Sequence, residues 1–227
     1  MIGFVGLIPV GFFSERPRRV RRRCDEDALR GRYSTFAELA EAIQNIRDDP
    51  LASDGGRIVH YRGNPRAKLM VVGEGPGEQE DIEGKPFVGR SGKLLDKILR
   101  SVELDPEEDV YVTNTVKRRP KDNRDPTRDE IEWYLPYLSE EVRLVDPHVI
   151  VCSGKVAMTT VLPDVDSRIS KVRGQWFDRW GRLVMPVFHP SYLLRNPKWE
   201  DGSPKAWTWK DFCKIKRKLN ELEGSSG

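Results

Sequence analysis

The chain has 227 residues, 33% of them charged, with a formal net charge of +3 and a negative mean hydropathy. That length carries one well-buried domain, and no stretch reaches the ~20 apolar residues that span a bilayer, so the composition predicts a soluble protein and excludes a membrane-spanning one. Three well-separated cysteines, Cys24, Cys152 and Cys213, fit a reducing cytoplasm and no disulfide framework.

Residues 1–13 are apolar, but the basic cluster Arg16, Arg18, Arg19, Arg21, Arg22 and Arg23 follows them, the reverse of a secretory signal. Residues 1–33 are therefore expected to be a basic, disordered extension, and residues 34–223 one domain. Phe36, Leu39, Ala40 and Ile43 recur at helical spacing through Ile46. Ser34 and Thr35 offer N-caps, with Glu38 placed to close a capping box on Thr35. Lys68–Val72 reads as a buried strand and Leu94–Val102 as a helix. Val110–Val116 is a second strand, and Pro120, Asn123 and Pro126 mark the loop after it. Thr127 caps a helix running to about Val145, with Asp129 and Glu130 at the favourable end of its dipole and Pro136 expected to kink it. Val149–Cys152 is a third strand, and Gly154 opens a helix to about Leu162. Trp176–Asp178 and Leu183–Met185 flank a turn and read as a hairpin. A last helix covers about Trp207–Leu222. Strands alternating with helices predict an α/β fold, a three-layer α/β/α sandwich around a central, mostly parallel four-stranded sheet.

The densest chemistry lies after the first strand, in Val71-Val72-Gly73-Glu74-Gly75-Pro76-Gly77-Glu78-Gln79-Glu80-Asp81 and then Gly84-Lys85-Pro86-Phe87-Val88-Gly89. In an open α/β sheet ligands sit at the carboxyl ends of strands, and glycines there let backbone approach a ligand closely. Three further segments follow: Tyr111-Val112-Thr113-Asn114-Thr115-Val116-Lys117, then Val172-Arg173-Gly174-Gln175-Trp176, then Phe188-His189-Pro190-Ser191-Tyr192-Leu193-Leu194-Arg195-Asn196-Pro197. Together, and in this order, they resemble the motifs of the family 4 uracil-DNA glycosylases. The resemblance runs from about residue 36 to 222.

The resemblance implies a uracil-DNA glycosylase-like sandwich and a defined site. An amide at a strand end both donates to uracil O4 and accepts from N3–H, and the resemblance makes Asn114 that group. Phe87 is either the ring that stacks on the flipped base or a core residue. The His-Pro-Ser imidazole, His189, donates to uracil O2 as charge builds there. Leu193 resembles the apolar wedge that fills the space left by the base. The basic run Lys117, Arg118, Arg119, Lys121, Arg124 and Arg128 reads as a phosphate-contacting loop, with Lys117, Arg119, Asn123 and Arg124 as its DNA contacts and Ser191 and Arg195 as further ones. Gly75 stands where better-known uracil glycosylases carry a water-orienting Asp. Glu74 or Glu80 is expected to hold the water, unless Glu80 instead crowds C5 and excludes thymine.

The chain departs from this family at one point. Its members hold a [4Fe–4S] cluster on four cysteines, and the matching positions here are Ile46, Asp49, Arg118 and Tyr134. Cluster ligation needs thiolates, so no cluster and no metal is expected. Ile46 and Tyr134 are expected to fill the space, with Arg118 pairing with Asp49 or contacting DNA. The segment Arg118–Pro126 is short and has no His, which argues against a covalent DNA link. The resulting reading is a monomeric, cytoplasmic, monofunctional uracil-DNA glycosylase of base-excision repair, acting on double- or single-stranded DNA, to which residues 1–33 add non-specific affinity. Two alternatives stay open: a relative that only grips DNA or uracil, and a glycosylase shifted towards hypoxanthine or xanthine.

Overall fold

A computed structural model describes residues 18–19 and 30–224. The expectation for residues 1–33 falls almost wholly outside them. In chain order the elements are β1 (Arg18–Arg19), α1 (Phe36–Gln44), β2 (Tyr61–Gly63), β3 (Leu69–Gly73), α2 (Glu78–Glu83), α3 (Arg90–Arg100) and β4 (Val110–Asn114). They continue with α4 (Arg128–Val145), β5 (Val149–Ser153), α5 (Lys155–Val161), α6 (Ile169–Val172), β6 (Phe177–Arg179), β7 (Arg182–Val187), α7 (Pro190–Arg195) and α8 (Pro204–Gly224). Among the described residues, no helix is long and apolar enough to cross a membrane.

The strands form one mixed sheet in the order β1-β6-β7-β5-β3-β4-β2. The expected four-stranded sheet is thus corrected. The four central strands β7, β5, β3 and β4 are mutually parallel, but β2 adds antiparallel to β4 and β6 adds antiparallel to β7. The two-residue β1 completes the edge beyond β6. Tyr61–Gly63 escaped notice because three residues show too little alternation to register as a strand.

Alternation along the central strands builds the two outer layers. Met70, Val72, Tyr111, Ile150, Cys152 and Val184 face one side, against Leu135, Leu138 and Val142 of α4 and Ala157, Met158 and Val161 of α5. Leu69, Val71, Val110, Val112, Val149, Val151, Met185 and Val187 face the other, against Leu95 and Leu99 of α3 and Phe212, Ile215 and Leu219 of α8. Strands covered on both faces are apolar almost throughout. A third cluster joins Leu39 and Ile43 of α1 to Ile46, Leu51, Val116 and Tyr134.

The helix caps follow the sequence with one adjustment. Thr127 and Glu130 form the full reciprocal box on α4, whereas Thr35 Oγ1 accepts from Glu38 N while Glu38 returns its bond to the amide of Ser34. Helix α4 continues from Arg128 to Val145 through Pro136. Buried Tyr134, Leu135 and Leu138 on either side anchor it against two apolar clusters, so packing carries the turn that loses a backbone bond. The hairpin is present, turning at Trp180–Gly181 with φ of 53° and 71°, the primed turn that suits strand twist. The His-Pro-Ser segment opens α7, with Pro190 at its first position, where the missing N–H costs nothing.

Candidate active site

The segments that follow β3, β4, β5 and β7 all leave the carboxyl edge of the parallel strands and converge on one cleft of about 840 Å³. Its walls include Glu74, Gly75, Pro76, Glu80, Phe87, Asn123, Arg124, Asp125, Lys155, His189, Ser191, Tyr192 and Arg195.

Asn114 is the last residue of β4, only 1% exposed and not among the residues that line the cleft. Neither its Nδ2 nor its Oδ1 has a hydrogen-bond partner. An unsatisfied buried amide costs about 1–3 kcal/mol, and both ends of this one are free to bond a ligand. Gly73 makes room for this group: a Cβ there would lie 2.4 Å from Asn114 Oδ1 and 2.5 Å from the Phe87 ring. The amide and the ring therefore flank the same glycine.

Phe87 has a left-handed backbone, φ 55°, and is held by its surroundings. Glu80 Oε1 accepts from the amides of Val88 and Gly89 at 3.0 and 2.8 Å, and Oε2 accepts from Gly77 at 3.2 Å. Both carboxylate oxygens of Glu80 are thereby engaged in fixing the Phe87 turn. Gly92 lets α3 pass, since a Cβ there would sit 1.7 Å from the Phe87 carbonyl oxygen.

His189 faces Phe87 with ring centroids 5.8 Å apart. Its Nδ1 accepts from the Ser191 amide at 3.2 Å and lies 2.8 Å from Ser191 Oγ. A nitrogen that accepts from N–H carries no proton, so the neutral ring has its proton on Nε2. Burial, then the nearby Arg195 charge, lowers its pKa to about 4 against the opposing pull of Glu80. Ser191, expected on a phosphate, therefore sets the tautomer of His189.

Glu74 lines the cleft, and its backbone carbonyl is fixed by Thr115 Oγ1 and by Val116 N. Burial and, next, the charge of Asp125 raise its pKa to about 7. Asp125 went unnoticed in the sequence because a lone Asp in a Pro-rich loop carries no periodic or motif signal. Tyr192 and Lys155 were likewise missed.

Two expected DNA contacts are elsewhere. Lys117 is fully buried, donating to Glu141 Oε2 at 2.6 Å. Leu193 is 1% exposed and lines a separate apolar groove with Leu94, Ile98 and Trp209, while its neighbour Tyr192 is 38% exposed on the rim of the cleft. The physical reason is helical: once His189 caps α7, position 193 turns inwards onto α3. Arg119 borders a neighbouring depression and donates to Asn123 Oδ1 at 2.8 Å. Arg124 reaches the rim but is forked onto Glu130, with Asp54 3.3 Å away.

Of the cluster-equivalent positions, Asp49, Arg118 and Tyr134 meet in one network. Arg118 donates to Asp49 from Nε and Nη2 at 3.0 and 2.9 Å, and Tyr134 OH donates to Asp49 at 2.6 Å. Ile46 is buried in the same cluster and offers its carbonyl to Arg118. A carboxylate, a guanidinium, a phenol and an alkyl chain do not fit an iron–sulfur cluster, which takes thiolates.

The Phe87 ring, the neutral His189 imidazole and, beside Phe87, the buried Asn114 amide gather at the carboxyl edge of the parallel sheet of an α/β protein. The chain belongs to the uracil DNA glycosylase superfamily, whose family model matches residues 60–213. It is 39% identical over 190 residues to the type-4 uracil-DNA glycosylase of Saccharolobus solfataricus, covering 80% of this chain and 85% of the relative. The type-4 enzymes of Thermotoga maritima and Archaeoglobus fulgidus are 41% and 42% identical, over 70% and 71% of this chain and 82% and 84% of their own lengths.

Proposed function

We propose that this protein is a uracil-DNA glycosylase that flips uracil out of DNA and hydrolyses its N-glycosidic bond, leaving an abasic site for base-excision repair. The observation that carries the reading is Asn114, an amide buried with both ends unpaired beside the Phe87 ring. Uracil presents a carbonyl and an N–H side by side, the complement of that amide. Phe87 supplies the stacking face and His189 Nε2–H the donor for O2. As the C1′–N1 bond breaks, its electron pair passes to the uracil ring and charge builds on the carbonyl oxygens. A preorganised donor at such an oxygen is worth ~3 kcal/mol. Water then bonds to C1′ of the oxocarbenium-like sugar, losing its proton to the Glu74 carboxylate. Glu80, engaged by backbone amides, keeps Phe87 in place. This division of labour replaces the undecided choice between the two glutamates.

Lys155, Arg195 and Arg124 face the phosphates, and Tyr192 takes the wedge role expected of Leu193. Opening the stack costs a few kcal/mol, offset by these contacts. The enzyme works as a cytoplasmic monomer on double- or single-stranded DNA, without a metal or an iron–sulfur cluster. Oligonucleotides carrying U:G, U:A, single-stranded U, T:G or I:T, incubated with the protein and treated with alkali, test the reading. Scission at uracil is expected, and its absence on every uracil substrate would overturn the proposal.

A further inference from the structure

Beneath Asn114 lies a polar network that the cleft chemistry does not use. Lys117 Nζ has three acceptors, Glu141 Oε2 at 2.6 Å, Thr113 Oγ1 at 2.6 Å and the backbone carbonyl of Asn114 at 2.8 Å. These match the three donors of an ammonium. The other oxygen of Glu141, Oε1, accepts from Tyr111 OH at 2.7 Å and lies 3.0 Å from His60 Nε2. The lysine and the glutamate are both wholly buried. Burial alone would raise the pKa of Glu141, but Lys117 and then His60 more than offset it and hold the pKa at about 2.

A buried ion pair is poor evidence of stabilisation, because apolar side chains of similar volume often serve as well or better. This one grips the backbone of the residue whose side chain has no hydrogen bond of its own. Asn114 also stands at the end of the β3–β4 ladder, paired with Gly73 in the last register position. Its amide direction therefore depends on its backbone and on packing alone. By holding the carbonyl, Lys117 fixes the peptide plane after Asn114 and so the backbone frame from which the side chain leaves.

We propose that Lys117 and Glu141 are positioning residues for the reaction: a buried clamp that aims the Asn114 amide into the base pocket, the lysine making no contact with DNA. The proposal rests on the uracil-reading role of Asn114.

The test variant is K117M/E141Q, which removes both charges together and leaves the Gln carbonyl to accept from Tyr111. Measurements are single-turnover cleavage of uracil DNA, affinity for uracil-free duplex, thermal melting and the same substitutions in an N114A background. A misplacement of about 1 Å can cost about 100-fold in rate. A 10- to 100-fold loss is expected in K117M/E141Q, with duplex affinity unchanged within about twofold and little further loss when N114A is already present. A merely structural pair would add its loss to that of N114A in full. That additivity, a wild-type rate in K117M/E141Q or a selective loss of duplex affinity would each overturn the clamp. If K117M/E141Q fails to fold, E141Q alone, which keeps Lys117, is read against the same three criteria. If the wild-type protein cleaves no uracil DNA, the functional reading fails on its own. The clamp is then read from the side-chain amide NMR signals of Asn114, which would shift in the variant if the clamp is real and stay in place if it is not.

Discussion

Within the cleft, protonation separates two residues that the sequence alone treats alike as polar. His189 is neutral throughout the range above its pKa of about 4, so in the proposed mechanism the acid side of the rate profile falls to Glu74. Its raised pKa of about 7 means a neutral acid below that pH and a carboxylate above. Single-turnover cleavage should therefore rise with pH through about 7. E74Q should be slower and lack that limb, and D125N should move the limb to lower pH by removing the neighbouring charge. Rates measured from pH 5 to 9 check all three, and a wild-type limb that persists in E74Q would assign it elsewhere. The proposed wedge is tested at the same scale. Tyr192→Ala should lose about tenfold on duplex substrate and much less on single strands, an unstacking cost being of a few kcal/mol. Leu193→Ala should instead lose about 2–5 kcal/mol of stability, as buried leucines do, while keeping its ratio of duplex to single-strand activity. Melting curves and paired rates on the two substrates distinguish them.

Between elements, the Asp49–Arg118–Tyr134 network ties the segment after α1 to the loop after β4 and to α4. Its partners are 69 and 85 residues apart in the chain. Burial pulls the pKa of Asp49 upwards, but the bonds from Arg118 and Tyr134 hold it below its ordinary 3.8. The carboxylate therefore contributes stability above about pH 4, and that contribution is lost as the pH falls through the depressed folded value. Asp49→Ala leaves a buried guanidinium unpaired, which typically costs about 3–5 kcal/mol. Urea unfolding should show that loss at pH 7 and a smaller difference from wild type near pH 3. An equal difference at both values would mean that the charge of Asp49 is irrelevant. Because the same loop carries Asn123, Arg124 and Asp125 into the cleft, Asp49→Ala should also weaken DNA binding.

For the whole molecule, the proposed absence of a metal centre means that the fold should be indifferent to chelators and to oxidants of iron. Purified protein should be colourless, free of iron on elemental analysis, and equally active after dialysis against chelator. Broad visible absorption with stoichiometric iron would overturn that expectation. The two free cysteines among the described residues, Cys152 and Cys213, stand apart from the network, Cys152 buried in the sheet core.

The sequence by itself determined the central parallel strands, the long capped helix α4 and the glycine turn. Each is written in local spacing or in a contiguous motif, where backbone geometry and nearest neighbours set the outcome. The edge strand β2, the inward turn of Leu193 and the pairing of Glu74 with Asp125 were left to the tertiary structure. Lys117 shows why most plainly. A lysine in a basic run reads as a phosphate contact, yet it is drawn inside by Glu141, 24 residues away on α4. Whether a charge faces solvent or core depends on what the opposite helix presents, and that is decided only when the two layers pack.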